Sequence, residues 1–133
     1  MQDGNNMAFP SPAADFAESR ISLDRLLISH PSATYYLRAG ESYRRAGIHN
    51  GALLVIDSSL CPCDGSIIVC DMGGEYRLKQ YRKLPSPHLE NLANGAREEL
   101  PESDAEGNDA VFGVVTYIIN DGRAAEFDDN PVI

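Results

Sequence analysis

Two side chains in this 133-residue chain have the chemistry to make and break an acyl bond together, Ser42 and Lys79. Ser42 follows Gly40 and Glu41 within residues 39–57, A-G-E-S-Y-R-R-A-G-I-H-N-G-A-L-L-V-I-D. Small residues ahead of a serine let the backbone bend and bring other groups close. Nucleophiles are presented in this way, although many ordinary turns share the composition. A serine hydroxyl attacks poorly until a base takes its proton. His49 is seven residues away with no orienting acid in an obvious place, and the other histidines form no recognisable triad with Ser42. Lysine is an alternative base, provided that burial brings its pKa down from ~10.4. Lys79 lies in E-Y-R-L-K-Q-Y, residues 75–81. Read as a strand, this places Arg77, Lys79 and Tyr81 on one face and Tyr76 and Leu78 on the other. The alternation leaves both a buried lysine and an ordinary surface lysine open.

The surroundings of both side chains resemble a known family. The residues that carry the likeness are G-E-S at Ser42, the run G-I-x-x-G-x-L-L-V-I-D, and G-E-Y-R-L-K ending at Lys79. F-P-S-P-A-A-D over 9–15 and H-P-S-A-T over 30–34 add to it. Together they are similar to the UmuD proteins of the bacterial SOS response, relatives of the self-cleaving domain of the LexA repressor. The likeness runs from about residue 9 to about residue 119. It implies a mostly β, LexA-like peptidase fold of short curled sheets with one short N-terminal helix. It also implies a homodimer.

By the same resemblance, Ser42 is the nucleophile and Lys79 the general base of an autocatalytic serine peptidase. The cleaved bond lies just before Phe9-Pro10, at Met7-Ala8. Neutral Lys79 takes the Ser42 proton, Ser42 attacks the Met7 carbonyl, and backbone N–H groups at the Ser42 turn hold the oxyanion. Lys79 then protonates the Ala8 amine and water releases the arm. The resemblance further implies stimulation by a RecA–single-stranded-DNA filament and a UmuC-like Y-family DNA polymerase as partner in error-prone lesion bypass. It calls for no cofactor and no metal.

The chain departs from the family in a few places. Tyr43 stands where methionine usually follows the serine, and Arg44-Arg45 where residues are usually less basic. Methionine precedes the cut where a small residue or cysteine is usual, and the expected arm is short. Tyr43 and the short arm favour an alternative, a non-cleaving homologue acting as a regulatory or scaffold module. Retention of Ser42 and Lys79 favours the peptidase. A phage-repressor dimerisation domain would need an upstream DNA-binding helix pair, and a signal peptidase would need a membrane anchor.

Length and composition set the frame. One compact domain suits this length, and 43% hydrophobic residues exclude wholesale disorder. The formal charge of −9 argues against direct nucleic-acid binding, because an acidic domain is repelled by phosphates. Work near DNA is therefore expected through protein partners. No apolar run approaches the ~20 residues of a membrane span, and residues 1–7 have no signal-peptide pattern, so a cytoplasmic protein is expected. Cys61, Cys63 and Cys70 are an odd number and read as reduced thiols, with Cys70 in the core. Zinc would need one of His30, His49 or His88 as fourth ligand, and these lie far apart in sequence.

The elements that must position the pair follow from local pattern. Residues 22–29 predict a two-turn helix capped by Ser22, with Leu23, Leu26 and Leu27 on one face. Strands are expected over 34–37, 52–57, 66–71, 75–81 and 111–120, each short, β-prone and bounded by Gly, Pro, Asp or Asn. Asp64-Gly65 and Gly73-Gly74 are turn signals, the latter for a hairpin. Residues 85–109, with Glu98, Glu99, Glu102, Asp104, Glu106 and Asp109, read as an acidic solvated loop. The expected division is an arm over 1–8, with Pro10 and Pro12 holding the chain beyond it extended, a peptidase domain over 9–122 and an acidic tail over 123–133.

Overall fold

A computed structural model describes residues 20–100 and 111–123. Seven strands form one antiparallel sheet: β1 (Thr34–Arg38), β2 (Leu53–Asp57), β3 (Ile67–Met72), β4 (Glu75–Arg82), β5 (His88–Asn91), β6 (Arg97–Glu98) and β7 (Val111–Ile119). Their order across the sheet is β1-β2-β7-β3-β4-β5-β6. The mostly β architecture expected for a LexA-like fold is borne out, with the five anticipated strands in place to within a residue or two. β7 is inserted between β2 and β3, so the last described strand joins the half carrying Ser42 to the half carrying Lys79.

Helix α1 (Leu23–Leu27) begins where predicted, with Ser22 Oγ accepting from the Arg25 N–H at 3.4 Å. Its apolar face is not buried: Leu23 and Leu26 are exposed, and Leu27 is only half-buried. Five residues make too short a helix to stand by itself. The segment after it is tied to the sheet instead, by the His30–Asp57 ion pair and by Ser58 N–H to Ala33 C=O at 2.9 Å.

The sheet buries apolar residues on both faces. In β3, alternation sends Val69 to one cluster with Ala39, Ile48, Ala52, Leu54 and Ile56, and sends Ile68 and Cys70 to a second with Leu89 and Val114. Two bulges in β7 adjust this phase, at Thr116 opposite Val55/Ile56 and at Phe112 opposite Val69/Cys70. Phe112 is thereby set between Tyr35 and Tyr76, with ring centroids 5.0 and 5.1 Å away.

Residues 88–91 and 97–98 correct the expectation of a solvated acidic loop. His88 and Leu89 are buried, and β5 pairs with β4 over four residues. Leu89 fills the second cluster, and that burial holds the short strand in place.

Candidate active-site groove

Ser42 sits on an excursion between β1 and β2. The pairing of these strands continues past β1, with Ala39 N–H to Ala52 C=O at 2.9 Å and Gly51 N–H to Ala39 C=O at 2.8 Å. Between these points the chain leaves the sheet and folds back on itself. Tyr43 and Ile48 exchange backbone bonds of 2.8 and 3.1 Å, closing a 3-10 turn over Arg44–Ala46. Gly47 ends that turn at φ 72°, a left-handed conformation that costs a residue with a Cβ about 1 kcal/mol or more. Asn120, just beyond β7, clamps the returning stretch: its side chain accepts from the His49 N–H and donates to the Gly47 carbonyl, both at 2.9 Å.

These constraints leave Ser42 half-buried, its Oγ accepting from the Asn50 N–H at 2.9 Å. That bond fixes the side chain while leaving the hydroxyl proton available for a base. The neighbouring Tyr43 N–H is already bonded to Ile48, so among the amides expected to hold an oxyanion it is committed elsewhere. Tyr43 packs its ring on the first apolar cluster, and its hydroxyl points to Glu41 Oε2 at 3.4 Å. Burial, reinforced by the Glu41 carboxylate, pushes the Tyr43 phenol above its ordinary pKa.

Lys79 reaches the same place from β4. Its cross-strand partners are Ile68 on β3 and Asn91 on β5. On this strand Lys79 itself is covered, 9% exposed, while Arg77 two residues earlier on the same face is exposed and Leu78 on the other face packs against the first apolar cluster. An open groove of about 470 Å³ is lined by Gly40, Glu41 and Tyr43 on one side and by Arg77, Lys79 and Leu92 on another. The fold thus brings the Ser42 turn and Lys79 to a common groove. Among the described residues no hydrogen bond joins the two side chains: Lys79 Nζ lies 2.8 Å from Glu98 Oε1 on β6. The other Glu98 oxygen accepts from the Asn91 side-chain amide at 3.2 Å. The bond from Lys79 outweighs burial and, with Asn91, holds the Glu98 carboxyl below its ordinary pKa. Cys70 lies nearby, and burial pushes its thiol up to about 11, so it is a neutral core residue as expected.

Residues Met7 and Ala8 lie outside the described residues, as do the acidic positions 102–109. Three residues that hold the site in place carry no signal in the sequence: Glu98 and Asn91 beside Lys79, and Asn120 on the Ser42 excursion. Glu98 is indistinguishable in sequence from the acidic residues around it. Asn94-Gly95 was a legible turn signal for the β5–β6 hairpin. Gly95, at φ 78°, packs against the Ser42 excursion so closely that a Cβ there would lie 2.7 Å from Arg45 Nη2. Among the described residues no group of three or more His, Cys, Asp or Glu is placed to hold a metal ion. Nor is any described helix long and apolar enough to cross a membrane.

Comparison with known proteins agrees with this geometry. Residues 4–115 match the Peptidase S24-like family. The chain is 42% identical over 118 residues to protein ImpA of Escherichia coli, covering 86% of this chain and 78% of the relative. It is 36% identical over 110 residues to protein MucA of Escherichia coli, covering 82% and 75%. A LexA repressor from Acidithiobacillus ferrooxidans matches more narrowly, 38% over 77 residues, or 56% of this chain and 37% of the repressor. A groove lined by Lys79 and by the residues that flank Ser42, an antiparallel sheet and these relatives lead to one conclusion: the chain belongs to the Peptidase S24-like family, as a UmuD-like member.

Proposed function

We propose that this protein is a self-cleaving serine peptidase of the SOS mutagenesis response, cutting its own chain at Met7-Ala8 with Ser42 as nucleophile and Lys79 as general base. The observation that supports the reading is the shared groove, lined by the residues flanking Ser42 and by a lysine buried in the sheet. Burial disfavours a charged amine, which is what a lysine needs in order to act as base near neutral pH. Lys79 takes the Ser42 proton, Ser42 Oγ bonds to the Met7 carbonyl carbon, and Lys79 delivers the proton to the departing Ala8 amine. Water then hydrolyses the acyl-enzyme.

Cleavage is stimulated by a RecA–single-stranded-DNA filament, and the processed homodimer joins a UmuC-like Y-family DNA polymerase in lesion bypass. The charge of −9 supports contact with protein partners rather than directly with DNA, and a cytoplasmic site of action fits those partners. A second reading, a non-cleaving regulatory subunit, is supported by the commitment of Lys79 to Glu98 and of the Tyr43 N–H to Ile48.

Intact-mass spectrometry separates the two. After alkaline incubation or addition of RecA filaments, the wild type loses residues 1–7, whereas Ser42→Ala and Lys79→Ala retain them and stay folded by circular dichroism. Cleavage persisting in either variant would remove the dyad. An unchanged wild-type mass under both conditions selects the regulatory reading.

A further inference from the structure

We propose that Glu98 is a positioning residue that restrains the candidate base: it keeps Lys79 charged and drawn toward β6, so that deprotonation of Lys79 requires this ion pair to open. The inference rests on the Ser42–Lys79 reading for its consequence in cleavage, but the restraint itself is a property of the described fold.

Four observations carry it. Lys79 Nζ stands 2.8 Å from Glu98 Oε1, with the lysine side chain 11% exposed and the glutamate 31%. The carboxylate is held at its second oxygen by Asn91, which is itself the cross-strand partner of Lys79. Asn91 is rigidly placed, because its backbone bonds to Ala96 and Gly95 and its side-chain oxygen accepts from the Ala93 N–H at 2.7 Å. Finally, β6 is two residues long and, among the described residues, lies at the sheet edge and pairs only through Leu89↔Glu98 and Glu90↔Arg97. The carboxylate is well aimed, but the strand bearing it has few bonds to break.

Among the described residues, the other ionisable groups around Lys79 do not replace Glu98. Arg77 shares its face of β4 and Cys70 on β3 is a neutral thiol. Glu41 lines the far side of the groove with Tyr43, and Arg77 is paired with Glu75 at 2.7 Å. When the Glu98 contact opens, the buried ammonium has lost its counter-charge and releases its proton to solvent. The neutral amine can then accept the Ser42 proton. Direct transfer from Lys79 to Glu98 is opposed, since the paired carboxyl is a weaker base than an ordinary one. The β5–β6 hairpin also touches the Ser42 excursion through Arg45 over Gly95, so a partner displacing that hairpin would reach both halves of the site.

The chain has only two lysines, Lys79 and the exposed Lys83, which makes the test direct. Protein labelled with lysine carrying carbon-13 at Cε, in a Ser42→Ala background, gives two NMR signals whose pH titrations report the two amines. In Glu98→Gln, which preserves shape and the Asn91 contact, the Lys79 midpoint moves down while that of Lys83 stays in place. With Ser42 restored, Glu98→Gln cleaves faster at pH 7, about tenfold for each unit by which the midpoint falls. Glu98→Asp serves as a second variant, its shorter carboxylate giving a smaller shift in the same direction. A Lys79 midpoint unmoved in both variants overturns the restraint, whatever the cleavage rate. A shifted midpoint with no cleavage at any pH upholds it and removes the Ser42–Lys79 reading instead.

Discussion

Two buried contacts of the described fold, His30–Asp57 and Lys79–Glu98, are built differently. At one end of the sheet Asp57 lies buried on β2 and meets His30 at 2.6 Å; the side chains are 6% and 51% exposed. Asp57 does not depend on that histidine. Its other oxygen accepts from the Ser59 N–H at 2.8 Å and the Ser59 hydroxyl at 2.5 Å. Burial pushes the Asp57 carboxyl up, but the bonds from Ser59 and His30 outweigh it and hold its pKa below the ordinary value. Toward the other end, Lys79 has Glu98 as its one ion-pair partner among the described residues. A buried charge with several fixed partners is a structural anchor. A buried charge with one partner, borne on a two-residue edge strand, has an alternative: lose the partner and become neutral.

Substitutions can break this contrast, beginning with the largest effect. Asp57→Ala removes the acceptor of three hydrogen bonds and leaves the Ser59 N–H without it, for an expected loss of about 2–3 kcal/mol in urea unfolding. Glu98→Gln should cost less than Asp57→Ala, because the Lys79 amine can shed its charge; equal losses would show that both pairs are anchors.

The alkaline limb is next. The folded Cys70 thiol titrates at about 11 against an ordinary 9.0, so its contribution is present below pH ~9 and is lost as pH rises toward 11. Melting temperature should fall over that window, and Cys70→Val should flatten the decline. Alkaline cleavage assays therefore belong below the steep part of this curve.

The acid limb runs the other way. Asp57 and Glu98 both titrate lower in the folded chain than in the unfolded one. Their stabilisation is present above the ordinary carboxylate range near ~4 and is lost as pH falls through the folded values. Asp57→Ala should show a shallower acid decline than the wild type. The smallest effect is expected for His30→Ala, less than ~1 kcal/mol by thermal melt, since the half-exposed imidazole is one of several partners of Asp57. A larger loss would mean that His30, rather than Ser59, secures the carboxylate.

Much of the frame was legible along the chain. β2 and β3 carry dense runs of Val, Ile and Leu, β4 and β7 are long, and Ser22 caps its helix where a side-chain acceptor is needed. These signals are local, so they survive reading one residue after another. Ser42 and Lys79 stand out by the motifs around them, and the fold brings Lys79 and the residues flanking Ser42 to one groove. Alternation in β4 correctly separated Lys79 from Leu78 but could not say which face was covered, because the sheet has an apolar cluster on each side.

The tertiary structure decided the rest. β5 and β6 are too short to display a period, and their sequence, H-L-E-N and R-E, is mostly polar. They are strands because Leu89 reaches the second cluster and β4 offers an open edge to pair with. Glu98 is indistinguishable in sequence from the acids that follow it. Only the passage from β4 through β5 to β6 brings its carboxylate, nineteen residues on, to the ammonium of Lys79. The sequence by itself determined which residues have the chemistry for acyl transfer and which segments prefer to be strands. What charge Lys79 carries, and toward which neighbour it turns, depends on burial and on a distant carboxylate, and those arise only when the sheet closes around them.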